Sequence, residues 1–198
     1  MFGRYIYVMR QHDMERLEHA ICFFAREFKK QAKKPLQSMG LYKLLALLEF
    51  RLLKKTGRPV FGLDYLAMRM GPVPVSLYEK RNQVHSRLFS FTEQGENRFS
   101  VDPIGNPDMD YFSGVEVAEM RRLVEIFSDP QMTTALFSEA SHQEIMAWSR
   151  AYRKQPNSPI DFKDEFPGDI DTKKAEDLTP EEESFLFWRG AQILNAAG

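Results

Sequence analysis

The feature that most constrains this sequence is one long apolar run over residues 41–55. Its apolar side chains recur at helical spacing and cover nearly every face, with only Lys43, Glu49 and Arg51 interrupting them. A helix that is apolar almost all round is normally buried in the middle of a domain. At about 15 residues the run is shorter than the roughly 20 that a membrane span requires. It therefore predicts a central core helix, which ends at Gly57.

A connector rich in glycine and proline follows this helix. Its pattern predicts a short helix over residues 63–70, which stops at Gly71 and Pro72 because proline cannot continue a helix. The second proline, Pro74, suits a first helical position, so another helix is predicted over residues 76–88.

The remaining elements are one β-hairpin and further helices. Alternation on both sides of a turn at Gly95 predicts a hairpin near residues 88–101, and residues 109–112 are a candidate third strand. Ser113 with Glu116, and Thr179 with Glu182, match the capping box that begins a helix. The predicted fold is mainly α: a compact helical domain around a central apolar helix, with a small antiparallel β-hairpin or three-stranded sheet.

The chain divides into three parts by composition. Residues 1–153 are predicted to form the helical domain. Residues 154–178 combine prolines and a glycine with many acidic side chains, which favours a flexible linker able to wrap a basic partner. Residues 179–198 are predicted to form a C-terminal helix that docks on the domain.

Charge and cysteine content narrow the class of protein. The net charge is −1, so no overall basic field indicates nucleic acid or an anionic membrane as a partner. The single cysteine, Cys22, excludes an intrachain disulfide and is expected to be a small buried residue. The N-terminus lacks the apolar region of a signal peptide, so we expect a cytoplasmic protein without a membrane partner.

No catalytic or metal-binding motif is complete in this sequence. His142 and Glu144 resemble part of a zinc deaminase motif, but the required Pro-Cys-x-x-Cys is missing. The other histidines have no metal-ligand spacing, and the acidic groups lie in loops where water solvates them. We therefore expect no catalytic residues, no metal, no cofactor and no enzymatic activity, and we expect His142 to cap a helix or pack on Trp148.

An ordered series of residues gives the chain a family resemblance. Lys43 in the apolar helix is followed by Gly57-x-Pro59, Tyr65, Gly71-Pro72-Val73 and Leu77-Tyr78, and then by Leu136, Ser141-His142 and Trp148. Over roughly residues 17–148 this series resembles the Panacea antitoxin domain, also called SocA-like, which includes many phage-associated proteins. The resemblance implies an antitoxin whose partner is a cognate toxin, and it does not specify which toxin, because family members pair with toxins of unrelated types.

The resemblance also marks candidate partner-binding or motif residues. These are Lys43, Asp64, Tyr65, Gly71, Pro72, Val73, Tyr78, His142 and Trp148. Burying the ammonium of Lys43 alone is costly, so we expect a partner in Asp64 or a nearby carbonyl, unless its stem reaches water. Delivery of the toxin to a protease is a further possibility, and the oligomeric state stays open.

Two alternative functions are compatible with the same sequence. The order of two helices and a hairpin over residues 63–101 matches a winged helix that binds DNA. Its phosphate contacts would then be Lys80, Arg81, Arg87 and Arg98. The second alternative is a phage accessory or structural protein, which would assemble into large homo-oligomers.

Overall fold

The structure, a computed structural model, describes residues 11–95 and 98–196. Residues 1–11, for which the sequence leaves open a short edge strand or a tail, lie almost entirely outside these ranges. Helices dominate the described part, so the prediction of a mainly α fold is confirmed. The α-helices are α1 (Gln11–Ala32), α2 (Ser38–Thr56), α3 (Val75–Lys80), α4 (Gly114–Phe127), α5 (Thr134–Glu144), α6 (Met146–Lys154) and α7 (Pro180–Ala196).

The central helix α2 is the core element that its sequence predicts. Thirteen of its residues are buried, among them Lys43 and Glu49, and α1, α4, α5 and α7 all contact it. It ends at Gly57, whose backbone adopts the left-handed conformation (φ 71°) and donates its N–H to the carbonyl of Leu53. Because every face of α2 meets another element, the rest of the domain is arranged around it.

A three-stranded antiparallel sheet packs on one side of the helices. It consists of β1 (Leu36–Gln37), β4 (Phe89–Glu93) and β5 (Phe99–Pro103), in the order β1-β5-β4. The hairpin of β4 and β5 lies where the sequence predicts it, with Phe91 opposite Val101. The third strand is the segment before α2, however, because residues 109–111 form a 3-10 helix.

A second hairpin replaces the short helix predicted over residues 63–70. β2 (Tyr65–Met68) pairs antiparallel with β3 (Gly71–Pro74), and Tyr65 lies opposite Pro74. Burial alternates along β2, as in a strand with one face on the core. The sequence Tyr-Leu-Ala-Met favours a helix by propensity, but pairing with β3 and packing on α6 determine the conformation of so short a run.

The helix predicted over residues 76–88 is also much shorter than expected. α3 has only six residues, and a 3-10 turn at Arg81–Gln83 follows it. Residues 84–88 then lead irregularly into β4. The series of two helices and a hairpin that defines a winged helix is therefore not present in the part of the chain that the structure describes.

Residues 154–178 are packed on the domain, which corrects the prediction of a flexible linker. Residues 157–160 run along the free edge of β2, where Ala67 donates its N–H to Ser158 O (2.8 Å) and Ile160 donates to Tyr65 O (2.9 Å). Phe166 and Ile170 are buried in the core. The segment leads into α7, whose predicted capping box is formed by Thr179 and Glu182. None of the helices in the described ranges combines the length and apolar composition that a bilayer crossing needs.

Candidate functional site

Lys43 is the most unusual residue of the core. It lies on the first half of α2 and is 1% exposed, yet its Nζ has no hydrogen-bond partner among the described residues. Burial lowers the pKa of this amine from 10.5 to about 8. The predicted pairing with Asp64 is wrong, because the Asp64 side chain is exposed, and no nearby carbonyl replaces it. Snorkelling to water is excluded as well, since the amine itself is buried.

Gly71 lies directly against Lys43, where β3 meets α5. Its backbone has φ 110°, and a Cβ at this position would come within 2.6 Å of Ser141 Oγ and 3.7 Å of Lys43 Nζ. Only glycine therefore fits, for reasons of both space and backbone conformation. Pro72 and Val73 continue β3 and are buried as well.

His142 lies beside Lys43 and Gly71 and is the first of three stacked rings. Its imidazole stacks on Trp148 with ring centroids 3.9 Å apart, and Trp148 stacks on Tyr152 at 5.1 Å. Trp148 is fixed in turn, because its indole N–H donates to Met68 O at 3.0 Å. The expectation that His142 packs on Trp148 is therefore confirmed.

His142 also interacts electrostatically with Lys43. Its Nε2 is buried without a hydrogen-bond partner in the described chain. Burial and the nearby charge of Lys43 lower the pKa of the imidazole. Both nitrogens lie within 3.7 Å of the position that a Gly71 Cβ would occupy. Residues from three distant parts of the sequence thus meet at one buried basic centre.

The two tyrosines of the predicted set lie in different environments. Tyr65 is 2% exposed and packs against Phe50 and Phe162, and burial raises the pKa of its phenol well above its usual value. Tyr78 is 37% exposed at the end of α3, where the Arg81 guanidinium lies 4.7 Å from its ring centroid. Tyr65 is therefore a core residue, and Tyr78 is a surface residue.

The four candidate nucleic-acid contacts do not share a recognition element. Lys80 ends the short helix α3, and Arg87 and Arg98 are exposed in the segments before β4 and β5. Arg81 is already engaged, because it donates to Tyr78 O and stacks on Phe99 as well as on Tyr78. The geometry gives these residues no helix that could enter a groove of DNA.

Sequence reasoning missed one buried and one partly buried charge on α2. Glu49 is fully buried and accepts hydrogen bonds from the backbone N–H groups of Phe61 (3.2 Å), Gly62 and Leu63 (3.1 Å). Burial raises its pKa from 4.5 to about 7 in spite of these donors. Arg51 bridges Glu119 and Glu144, with N–O distances of 2.7 and 2.6 Å. A charged residue inside an apolar helix was the available signal for both.

The described residues contain no group of three or more His, Cys, Asp or Glu side chains arranged to hold a metal ion. What the fold does define is a helical domain with a buried lysine and histidine at the contact of α2, β3 and α5. This chain belongs to the family described as Antitoxin SocA-like, Panacea domain, whose model matches residues 41–149. The match begins at Leu41, later than the start near residue 17 that the sequence resemblance suggested. No curated protein and no solved structure matches the chain.

Proposed function

We propose that this protein is an antitoxin that neutralises a cognate toxin by binding it directly, within a toxin–antitoxin or phage-associated system. The observation that carries the proposal is the family match over residues 41–149. The proposed activity is binding in the cytoplasm and not catalysis. It requires a stable surface that recognises one partner.

Most of the residues that carry the family resemblance lie inside the domain. Lys43, Gly71 and Trp148 are buried, so they shape the domain and offer little area to a protein partner. Exposed residues at the edge of this framework, such as Tyr78, are available for contact. A shared framework with different edge residues is consistent with one domain that serves antitoxins of different toxins.

In this proposal the acidic residues of the segment 161–177 are part of the folded domain, whereas the composition of the segment suggests a free arm. Asp171 is paired with Lys163 and Arg189, and Glu182 with Lys173, so part of the acidic charge already has partners within the chain. Deleting residues 161–177 would also remove buried side chains from the core. The proposal therefore does not rely on this segment as a free arm that wraps the toxin.

Co-expression with the neighbouring reading frame tests the proposal. The neighbour alone should arrest growth, and this chain should restore growth and elute together with the neighbour's product. Gly71→Ala should lose rescue, because the new Cβ meets Ser141 Oγ at 2.6 Å. Gly114→Ala is the matched control, since no atom lies within 4 Å of its Cβ, and it should rescue fully.

Two other outcomes would contradict the proposal. If the neighbour's product is harmless, the antitoxin function is refuted for this pair. The same holds if the product is toxic but this chain neither restores growth nor binds it. Salt-sensitive DNA binding that Lys80→Ala and Arg81→Ala abolish would then favour a DNA-binding regulator. Assembly into large homo-oligomers would favour a phage structural protein.

A further inference from the structure

A small cleft opens beside Lys43, on the side of α2 that faces α1 and α5. Its volume is about 200 Å³. Most of its wall is apolar, and its lining residues include Lys34, Gly40, Lys43, Thr134 and Phe137. A concave, mainly apolar site with a few polar groups is the usual form of a binding pocket.

The electrostatics of the cleft are those of a site for an anion. Lys34 is exposed at its edge, and Lys43 lies in its wall, while none of the described lining residues is acidic. Thr134 is the first residue of α5, so the positive end of that helix dipole also faces this region. The cleft therefore gathers three sources of positive potential around apolar walls.

The positive charge of the buried Lys43 amine is not balanced by a hydrogen-bond acceptor within the described residues. Gly40 lies nearly one helical turn before Lys43 on α2, and Thr134 and Phe137 lie one to two turns before Ser141 on α5. The cleft thus follows the contact between these two helices towards the buried basic centre of Lys43 and His142.

We propose that this cleft is a docking site for the toxin, and that it receives an apolar side chain of the toxin with a carboxylate beside it. The apolar group fills the cleft, and the carboxylate is attracted by the exposed Lys34, by the start of α5 and, without direct contact, by the charge of the buried Lys43 amine. This inference rests on the proposed antitoxin function and adds the chemistry of the partner segment. An acidic, partly apolar segment matches both the charge and the walls of the site.

Thr134→Glu tests the charge of the cleft without harming the helix. The new carboxylate would repel the toxin's anionic group, yet an acidic side chain in the first turn of α5 is favourable for folding. Ala135→Glu is the matched control, because Ala135 is exposed in the same turn and does not line the cleft. Lys43→Met removes the buried amine at nearly constant side-chain volume.

The readout is the dissociation constant of the purified complex with the toxin. We expect Thr134→Glu and Lys43→Met each to weaken the complex about 10- to 100-fold, and Ala135→Glu to leave it unchanged. The docking site is overturned if both cleft variants bind the toxin as tightly as the wild type. In that case the complex itself still supports the antitoxin function.

If the wild-type chain forms no complex with the neighbour's product, octanoate tests the cleft by itself. Octanoate is an apolar carboxylate, and octan-1-ol is its uncharged counterpart. A thermal shift with octanoate that exceeds the shift with octan-1-ol, and that Thr134→Glu removes, supports the site although the toxin pairing has failed. Equal shifts for both compounds, or a shift that Thr134→Glu leaves unchanged, overturn it.

Discussion

Replacing Lys43 with methionine should make this protein more stable at neutral pH. The lysine amine is buried without an acceptor in the described chain, so the fold carries a desolvation cost that methionine would not have. Methionine has a similar length and a flexible apolar side chain, so it can occupy the same space. A gain in stability on removal of a charged residue is the mark of a group that folding does not require.

The pKa of Lys43 sets the size and the sign of the effect. Its value of about 8 in the folded protein, against 10.5 for an ordinary lysine, corresponds to about 3 kcal/mol at about 1.4 kcal/mol per unit. Between these two pH values the folded state binds fewer protons than the unfolded state, so wild-type stability rises with pH. The advantage of Lys43→Met should therefore be full below about pH 8 and fade towards pH 10.5.

Urea unfolding of both proteins between pH 7 and pH 10.5 measures this difference directly. Other groups titrate in the same range, but they cancel in the difference between variant and wild type. Lys55→Met, at an exposed position of α2, is the control and should change stability by less than about 0.5 kcal/mol at every pH. A Lys43→Met protein that is less stable than the wild type at pH 7 would refute the reasoning, because it would show that the amine has a favourable partner.

Three further changes test the packing around α2. Gly57→Ala should lower the free energy of unfolding by more than about 2 kcal/mol, because φ is 71° and the new Cβ would lie 2.1 Å from Glu181 O. Gly114→Ala is the control and should be nearly neutral in the same thermal unfolding assay. Arg51→Met should cost about 2 kcal/mol in urea unfolding, because it leaves two glutamates facing each other without their shared cation. Glu49 has a raised pKa of about 7, so wild-type stability should fall by up to about 3 kcal/mol from pH 4.5 to 7, and Glu49→Gln should flatten that curve.

The sequence predicts best where one local signal decides the structure. The apolar run of α2 predicts a central helix without a competing interpretation, because a helix that lacks a polar face has to be buried on all sides. The capping boxes at Ser113 and Thr179 are formed as predicted, because both partners lie within one helical turn of each other. The hairpin of β4 and β5 follows from alternation and a glycine turn in the same way.

Prediction failed where distant contacts decide the conformation. Residues 65–68 contain good helix formers, yet residues 157–160, some 90 positions later, hydrogen-bond to this segment as a strand. Residues 154–178 look solvated by composition, but Phe166 and Ile170 anchor them, and Glu165 accepts the backbone N–H of Ala147 at 2.8 Å. A count of charges cannot reveal that a few side chains in an acidic segment find partners in the core.

The candidate site shows the same division between local and distant information. The sequence marks Lys43, Gly71, His142 and Trp148 separately, and only the fold brings them within a few ångströms of one another. Steric fit accounts for Gly71, and ring stacking accounts for His142 and Trp148, so packing explains these three residues without a partner. Packing does not explain Lys43, since methionine would fill its place at lower cost. Lys43 lines a cleft whose described lining residues include no acidic side chain, although its amine is itself buried. We therefore interpret this lysine as the residue whose charge attracts the anionic partner proposed for the cleft.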